Sequence, residues 1–212
     1  MATARKGLFG NYYGSLQNES AALSEAEQQQ NALYILVYLK QKGWTANAIA
    51  ATLGNMQAES SINPGRWQND DVGNTENGYG LVQWTPATKY IDWCTDKDYS
   101  DYSTMDSNLS RLIYEVENNI QWIGTGDFSE MSFSDYATSN LTVSELAKAF
   151  LLCYERPADQ SDSVQSYRAT LAESWYSYLS GATPDQPGLP TITSKKKRKY
   201  NFILFKRRTF LG

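Results

Sequence analysis

The sequence predicts an α+β protein, predominantly α-helical, with a small β-lobe forming one wall of a cleft. Two observations carry this reading. Apolar residues recur at helical spacing in six segments, two of them opened by residues in capping-box spacing. Between the second and third segments, Gln68 to Gly80 is rich in Asn, Asp and Gly and has no helical period, which suits a turn-rich lobe. No internal repeat is visible, and 212 residues suit one domain with appendages.

The elements follow in order. Ser24 to Lys42 opens with Ser24 and Glu27 in capping-box spacing, carries Leu33, Ile35, Leu36, Val37 and Leu39, and ends at Gly43. Thr45 to Glu59 carries Ala48, Ile49, Ala51, Thr52, Leu53 and Met56 as a buried helix, and Asn63-Pro64-Gly65 stops it. After Pro86, Ala87 to Asp96 reads as a short helix. Met105 to Ile123 places Leu109, Leu112, Ile113, Val116, Ile120 and Ile123 on one stripe, which reads as core. Thr142 and Glu145 open a helix that Pro157 ends, and a last amphipathic helix spans about Val164 to Leu179. The division expected is therefore an N-terminal extension over 1–23, a helical domain over 24–180, a Pro- and Gly-rich linker over 181–194 and a tail over 195–212.

Charge sets the tail apart. Residues 195–212 hold eight Lys and Arg and no acid, which leaves 11 basic against 23 acidic residues elsewhere, a balance of −12. Asn201 to Phe205 is a short apolar run between basic flanks, suited to docking on a strand or groove of another protein rather than to specific nucleic-acid recognition. There is no apolar run of about eighteen residues, so no transmembrane span is expected. Arg5 to Tyr13 lacks the apolar centre and cleavage site of a secretory signal.

Composition narrows the chemistry. The chain has no histidine, which removes Ser-His-Asp and Cys-His hydrolases, His-ligated zinc amidases and HExxH proteases. Cys94 and Cys153 lie in apolar helical patterns without CxxC spacing and read as two buried free thiols. Asp70, Asp71, Asn74 and Glu76 depart from the EF-hand spacing, so no metal or other cofactor is expected. Proton transfer is left to carboxylates. Glu59 sits at the end of an apolar helix facing a Gly-aromatic turn, where apolar walls would disfavour its charged form and make it a proton donor. Trp67, Tyr79 and Trp84 would supply the walls and flat faces for a ring-shaped ligand, and Gln83 an amide that donates and accepts. Tyr154 would line the opposite wall, and Glu155 and Arg156 would form a structural ion pair or helix-end contact.

These residues also carry a family likeness. Gly54-Asn55-Met56-Gln57, Glu59-Ser60, Asn63-Pro64-Gly65, Gly78-Tyr79-Gly80-Leu81-Val82-Gln83-Trp84-Thr85-Pro86-Ala87 and Tyr154-Glu155-Arg156-Pro157 together resemble the phage tail lysozyme family, from about Asn31 to about Leu179. Glu-Ser alone would be a weak sign; the two central motifs together are specific. The resemblance implies a lysozyme-like fold and a virion-borne muramidase, made in the host cytoplasm, that cuts the β-1,4 MurNAc-GlcNAc bond of peptidoglycan to aid genome entry. It implies Glu59 as general acid and, by the family's Trp-Gln-Asn...Asp...Gly-Asn pattern, Asp71 as the second carboxylate. Asp70 and Glu76 read as solvated turn residues. Glycan strands would be the substrate, and other phage tail proteins the partners of residues 195–212. A looser likeness to soluble lytic transglycosylases keeps a 1,6-anhydro product open, and a non-catalytic glycan-binding tail protein is the alternative of another class.

Overall fold

Helix α1 (Glu25–Gln41) starts where Ser24 accepts from the Glu27 amide while the Glu27 side chain accepts from Ser24, the reciprocal cap that the sequence predicts. Helix α2 (Ala46–Ser60) is capped by Thr45 and stops earlier than proline would require, because Ser61 and Ile62 adopt left-handed conformations (φ 55° and 56°). Glu59 thereby falls in the last turn of α2. The structure, a computed structural model, describes residues 1–181, so the expected linker beyond Gly181 and the basic tail lie outside the described residues.

Regular strands occur at the N-terminus. β1 (Thr3–Gly7) and β2 (Gly10–Gly14) pair antiparallel, with Ala4 opposite Tyr13 and Arg5 opposite Tyr12. This hairpin is fastened to the helices by side-chain amides. Asn31 on α1 accepts from the Tyr13 amide at 2.7 Å and donates to the Tyr13 and Ile62 carbonyls, each at 2.8 Å. Asn63 accepts from Ser15 and Gly65 and donates to Ser15 and Ala21. Such amides remain buried because every polar atom has a partner.

The predicted β-lobe is a set of turns. A single 3-10 turn covers Gln68–Asp70, with Asn69 and Asp70 left-handed, and its pairing is limited to isolated bridges of Tyr79 with Trp67 and with Trp84. The class α+β holds, but its regular sheet is the 3–14 hairpin. Helices α3 (Thr88–Asp96) and α4 (Met105–Asn118) follow. Helix α4 is shorter than its apolar stripe suggests: Asn119 turns left-handed, the Ile120 amide bonds back to the Glu115 carbonyl at 2.9 Å, and Ile123 is left 60% exposed.

A helix absent from the sequence reading, α5 (Phe133–Thr138), is opened by a cap between Ser132 and Asp135. Helix α6 (Val143–Ala149) carries the expected Thr142–Glu145 cap, then widens into a π-helical turn over Phe150–Glu155 that ends at left-handed Arg156. Helix α7 (Asp162–Gly181) completes the described chain. Both cysteines are free and buried, as expected.

The core lies between α2, α6 and α7, with α1 and the hairpin on one side and α3 to α5 on the other. Helices α2 and α7 pack tightly at Gly54, where a Cβ would stand 2.6 Å from the Ala172 nitrogen and 2.8 Å from its Cα. Gly54→Ala must push the two helices apart, so it should lower stability by about 1–3 kcal/mol despite its better helix propensity. Calorimetry should show the melting temperature falling by several degrees, and an unchanged value would refute the close contact.

Candidate active site

The end of α2, the loop after it and the end of the π-helical turn enclose a cleft of about 360 Å³. Its lining includes Glu59 from α2, Arg66, Trp67 and Gln68 from the loop, Gln83 from the second turn, and Glu155 from the opposite side. This volume falls within the range of small-ligand sites.

Glu59 lines the cleft, as the sequence reading requires, but its wall is cationic where an apolar one was expected. Arg168 on α7 donates to the Glu59 carboxylate at 2.5 Å and to the Asn55 carbonyl at 2.9 Å. The pair sits largely inside the protein, with 21% of the Glu59 and 10% of the Arg168 side chain exposed. The closeness of α7 to α2 at Gly54 brings the guanidinium there.

The second acid in the lining is Glu155. Its Oε1 is sealed from solvent with no hydrogen-bond partner among the described residues. Burial first, and the negative charge of Glu59 next, push its carboxyl well above the ordinary carboxylate range. Of the two contacts expected of Glu155 and Arg156, the ion pair does not form among the described residues, whereas the helix-end contact does. Left-handed Arg156 turns its guanidinium onto the carbonyls of Gln121 and Cys153. The reversal at Arg156 separates neighbours in sequence.

Several predicted site residues lie elsewhere. Asp71 is exposed and accepts from Asn74 at 2.7 Å and Asn77 at 3.1 Å, so it holds its own turn and does not line the cleft. Tyr79 is fully buried between Trp67, Tyr90 and Tyr102, its hydroxyl with no partner among the described residues, and offers no face to a ligand. Trp84 stacks on Tyr90 at 4.5 Å and donates its indole N–H to Glu115, while Tyr154 donates its hydroxyl to the other oxygen of Glu115. Both rings are therefore turned inward by a buried acid. Trp67 and Gln83 remain in the lining. The Trp67 ring is only 1% exposed, however, and its indole donates to the Gln17 carbonyl. Gln83 spends its amide nitrogen on the Gly80 and Arg66 carbonyls at 2.9 and 3.2 Å, leaving its carbonyl oxygen as the acceptor it can present.

Glu115 is the acid the sequence reading missed. It is 1% exposed and accepts from Arg111 at 2.8 Å as well as from Trp84 and Tyr154. Burial still raises its carboxyl above the ordinary range against these hydrogen bonds. The one available signal was Arg111 and Glu115 at helical spacing on the core side of α4.

Three curated proteins match the chain closely. The sequence model described as phage tail lysozyme matches residues 30–179. Morphogenesis protein 1 of Bacillus phage B103 is 50% identical over 164 residues, which is 77% of this chain and 43% of that relative. The chain thus spans less than half the length of that relative. No helix among the described residues is long and apolar enough to cross a membrane.

The raised carboxyl of Glu155 has a consequence for stability. In the unfolded chain this group ionises near its ordinary value of 4.5, whereas the folded protein holds the proton to higher pH. The unfolded state is then the one that gains by losing protons, so stability falls as pH rises from about 4.5 through the raised folded value. Glu115 adds a slope of the same sign. Thermal melts between about pH 5 and 8 should show Glu155→Gln gaining on the parent as pH rises. Parallel curves for the two proteins would refute this assignment.

Proposed function

The chain belongs to the phage tail lysozyme family, and on that footing we propose that it is a virion-associated glycoside hydrolase cleaving the β-1,4 MurNAc-GlcNAc bond of peptidoglycan, with Glu59 as general acid. The observation that carries this reading is the placement of Glu59: a cleft-lining carboxyl at the end of α2, within the family-matched residues, with a second carboxyl in the same lining. With histidine absent from the chain, carboxyls are the side chains suited to protonating a leaving sugar oxygen near neutral pH. Arg168 anchors the Glu59 carboxyl at the cleft until a bound glycan competes for it. The substrate linkage comes from the family and from no distance in the cleft.

A second reading is favoured by one observation. Asp71, the expected second carboxylate, is absent from the residues that line the cleft. A lytic transglycosylase needs a single acid and closes the sugar on itself to a 1,6-anhydro product. Mass spectrometry of muropeptides released from purified sacculi separates the two, since the anhydro product is lighter by one water.

Glu59→Gln tests the reading directly. The variant keeps an oxygen that can accept from Arg168, so it should fold and still bind glycan strands in sedimentation assays. Release of new sugar ends should fall by about 100-fold or more. Activity retained within a few-fold would remove Glu59 from the chemistry and favour a non-catalytic glycan-binding tail protein.

A further inference from the structure

The Glu59 carboxyl is gripped by the Arg168 guanidinium at 2.5 Å, so it must leave that partner before it can meet a sugar oxygen. If Glu59 is the donor, its proton must come from somewhere, and a chain without histidine offers few sources. The cleft supplies one candidate. Glu155 shares the lining with Glu59, and its Oε1 is sealed from water with no partner among the described residues. The cation beside it in sequence, Arg156, is committed to two backbone carbonyls. Arg168 is committed through its Nη atoms to Glu59 and to Asn55, while its Nε–H is buried with no partner among the described residues.

The backbone adds an independent sign. Glu155 closes a π-helical turn and precedes a left-handed Arg156, two distortions in succession where α6 could have continued regularly. Single π-helical turns inside α-helices occur frequently at functional sites. Here the distortion carries the Glu155 side chain into the cleft.

We infer that Glu155 is a positioning residue that stores the proton Glu59 delivers. This rests on the reading of Glu59 as general acid. When a saccharide draws Glu59 away from Arg168, the proton passes from the Glu155 carboxyl to the Glu59 carboxylate. Arg168 then compensates the newly ionised Glu155, using the Nε–H that has no partner among the described residues. Glu59 protonates the glycosidic oxygen as its bond to C1 breaks, and the water that adds at C1 releases one proton, which returns to Glu155. One water is consumed per bond, and no proton is gained or lost overall.

The charged and titratable groups acting on Glu155 are Glu59 on α2, Glu115 on α4, Arg168 on α7 and the adjacent Arg156, with the hydroxyls of Tyr136 and Tyr154 also sensing its charge. Burial and the charges of Glu59 and Glu115 push the Glu155 carboxyl up, against the opposing pull of Arg168 and Arg156.

Two measurements on the whole chain test the inference. Difference infrared spectra at neutral pH, parent minus Glu155→Gln, should show the carbonyl stretch of a protonated carboxyl; its absence overturns the proposal. With peptidoglycan sacculi, Glu155→Gln should lose about tenfold or more in kcat with KM within about twofold, and the alkaline limb of its kcat profile should move. Glu155→Asp should recover part of the rate. A purely structural role predicts no such change, because Gln copies the shape of a neutral carboxyl, and an unaltered profile overturns the proposal. Should Glu155→Gln fail to fold, isotope-edited infrared on the glutamate-labelled parent and the kinetics of Glu155→Asp decide. An active Glu59→Gln would instead sink the reading beneath it, whereas an inactive Glu59→Gln beside a fully active Glu155→Gln would sink only the proton store.

Discussion

The contact between α2 and α7 at Gly54 is the constraint on which the rest of the site depends. With no side chain at position 54, the backbone of α7 at Ala172 comes close enough that one methyl would collide. One turn earlier on α7, Arg168 is thereby delivered to the last turns of α2, where it bridges the Asn55 carbonyl and the Glu59 carboxylate. A buried guanidinium is costly unless its donors are matched. The pairing with Glu59 therefore serves the core and the cleft at once. The acid is held in register by the same contact that closes the helices over it.

A buried acid outside the cleft lining organises the aromatic interior. Glu115 collects donors from Trp84, Tyr154 and Arg111, so residues from a loop, from the π-helical turn and from α4 converge on one carboxylate. Each of those donors would otherwise be an unsatisfied polar group among aromatic rings. Aromatics that look from the sequence like a sugar platform are thus claimed by an interior polar network. The cleft is lined largely by polar and charged side chains, and Trp67 contributes little exposed surface.

Local rules made most of the helical frame legible in the sequence. Ser24 with Glu27 and Thr142 with Glu145 marked two helix starts, because a cap is a contact within four residues. The short α5 was missed although Ser132 and Asp135 carry the same signature, since six residues give too little periodicity to see. Hairpin 3–14 was hidden because its hold on the helices runs through Asn31 and Asn63, partners distant in sequence. Within the cleft, Glu59 was legible from its place at the end of an apolar helix. The guanidinium facing it was not, because Arg168 lies 109 residues away. The inward turn of Tyr79, Trp84 and Tyr154 was equally hidden: an exposed aromatic and a buried one look alike until the acid that attracts them is located.

Charge in the cleft differs from charge over the chain. Outside the basic tail the sequence carries a balance of −12, which would repel an anionic polymer at long range. Screening confines that repulsion to roughly 10 Å at moderate salt, so what a ligand meets on entry is the lining itself. There Glu59 is neutralised by Arg168, and Arg66 is largely offset by Asp70 at 3.0 Å. With Glu155 holding its proton, Arg156 is left facing the cleft with its charge bound only to backbone carbonyls. A locally cationic groove on an acidic body attracts an anionic ligand at short range while the body repels it at longer range. The upward push on the Glu155 carboxyl therefore bears on the charge of the lining: when Glu155 is neutral Arg156 gives the lining a net positive character, and when it is charged that character is lost.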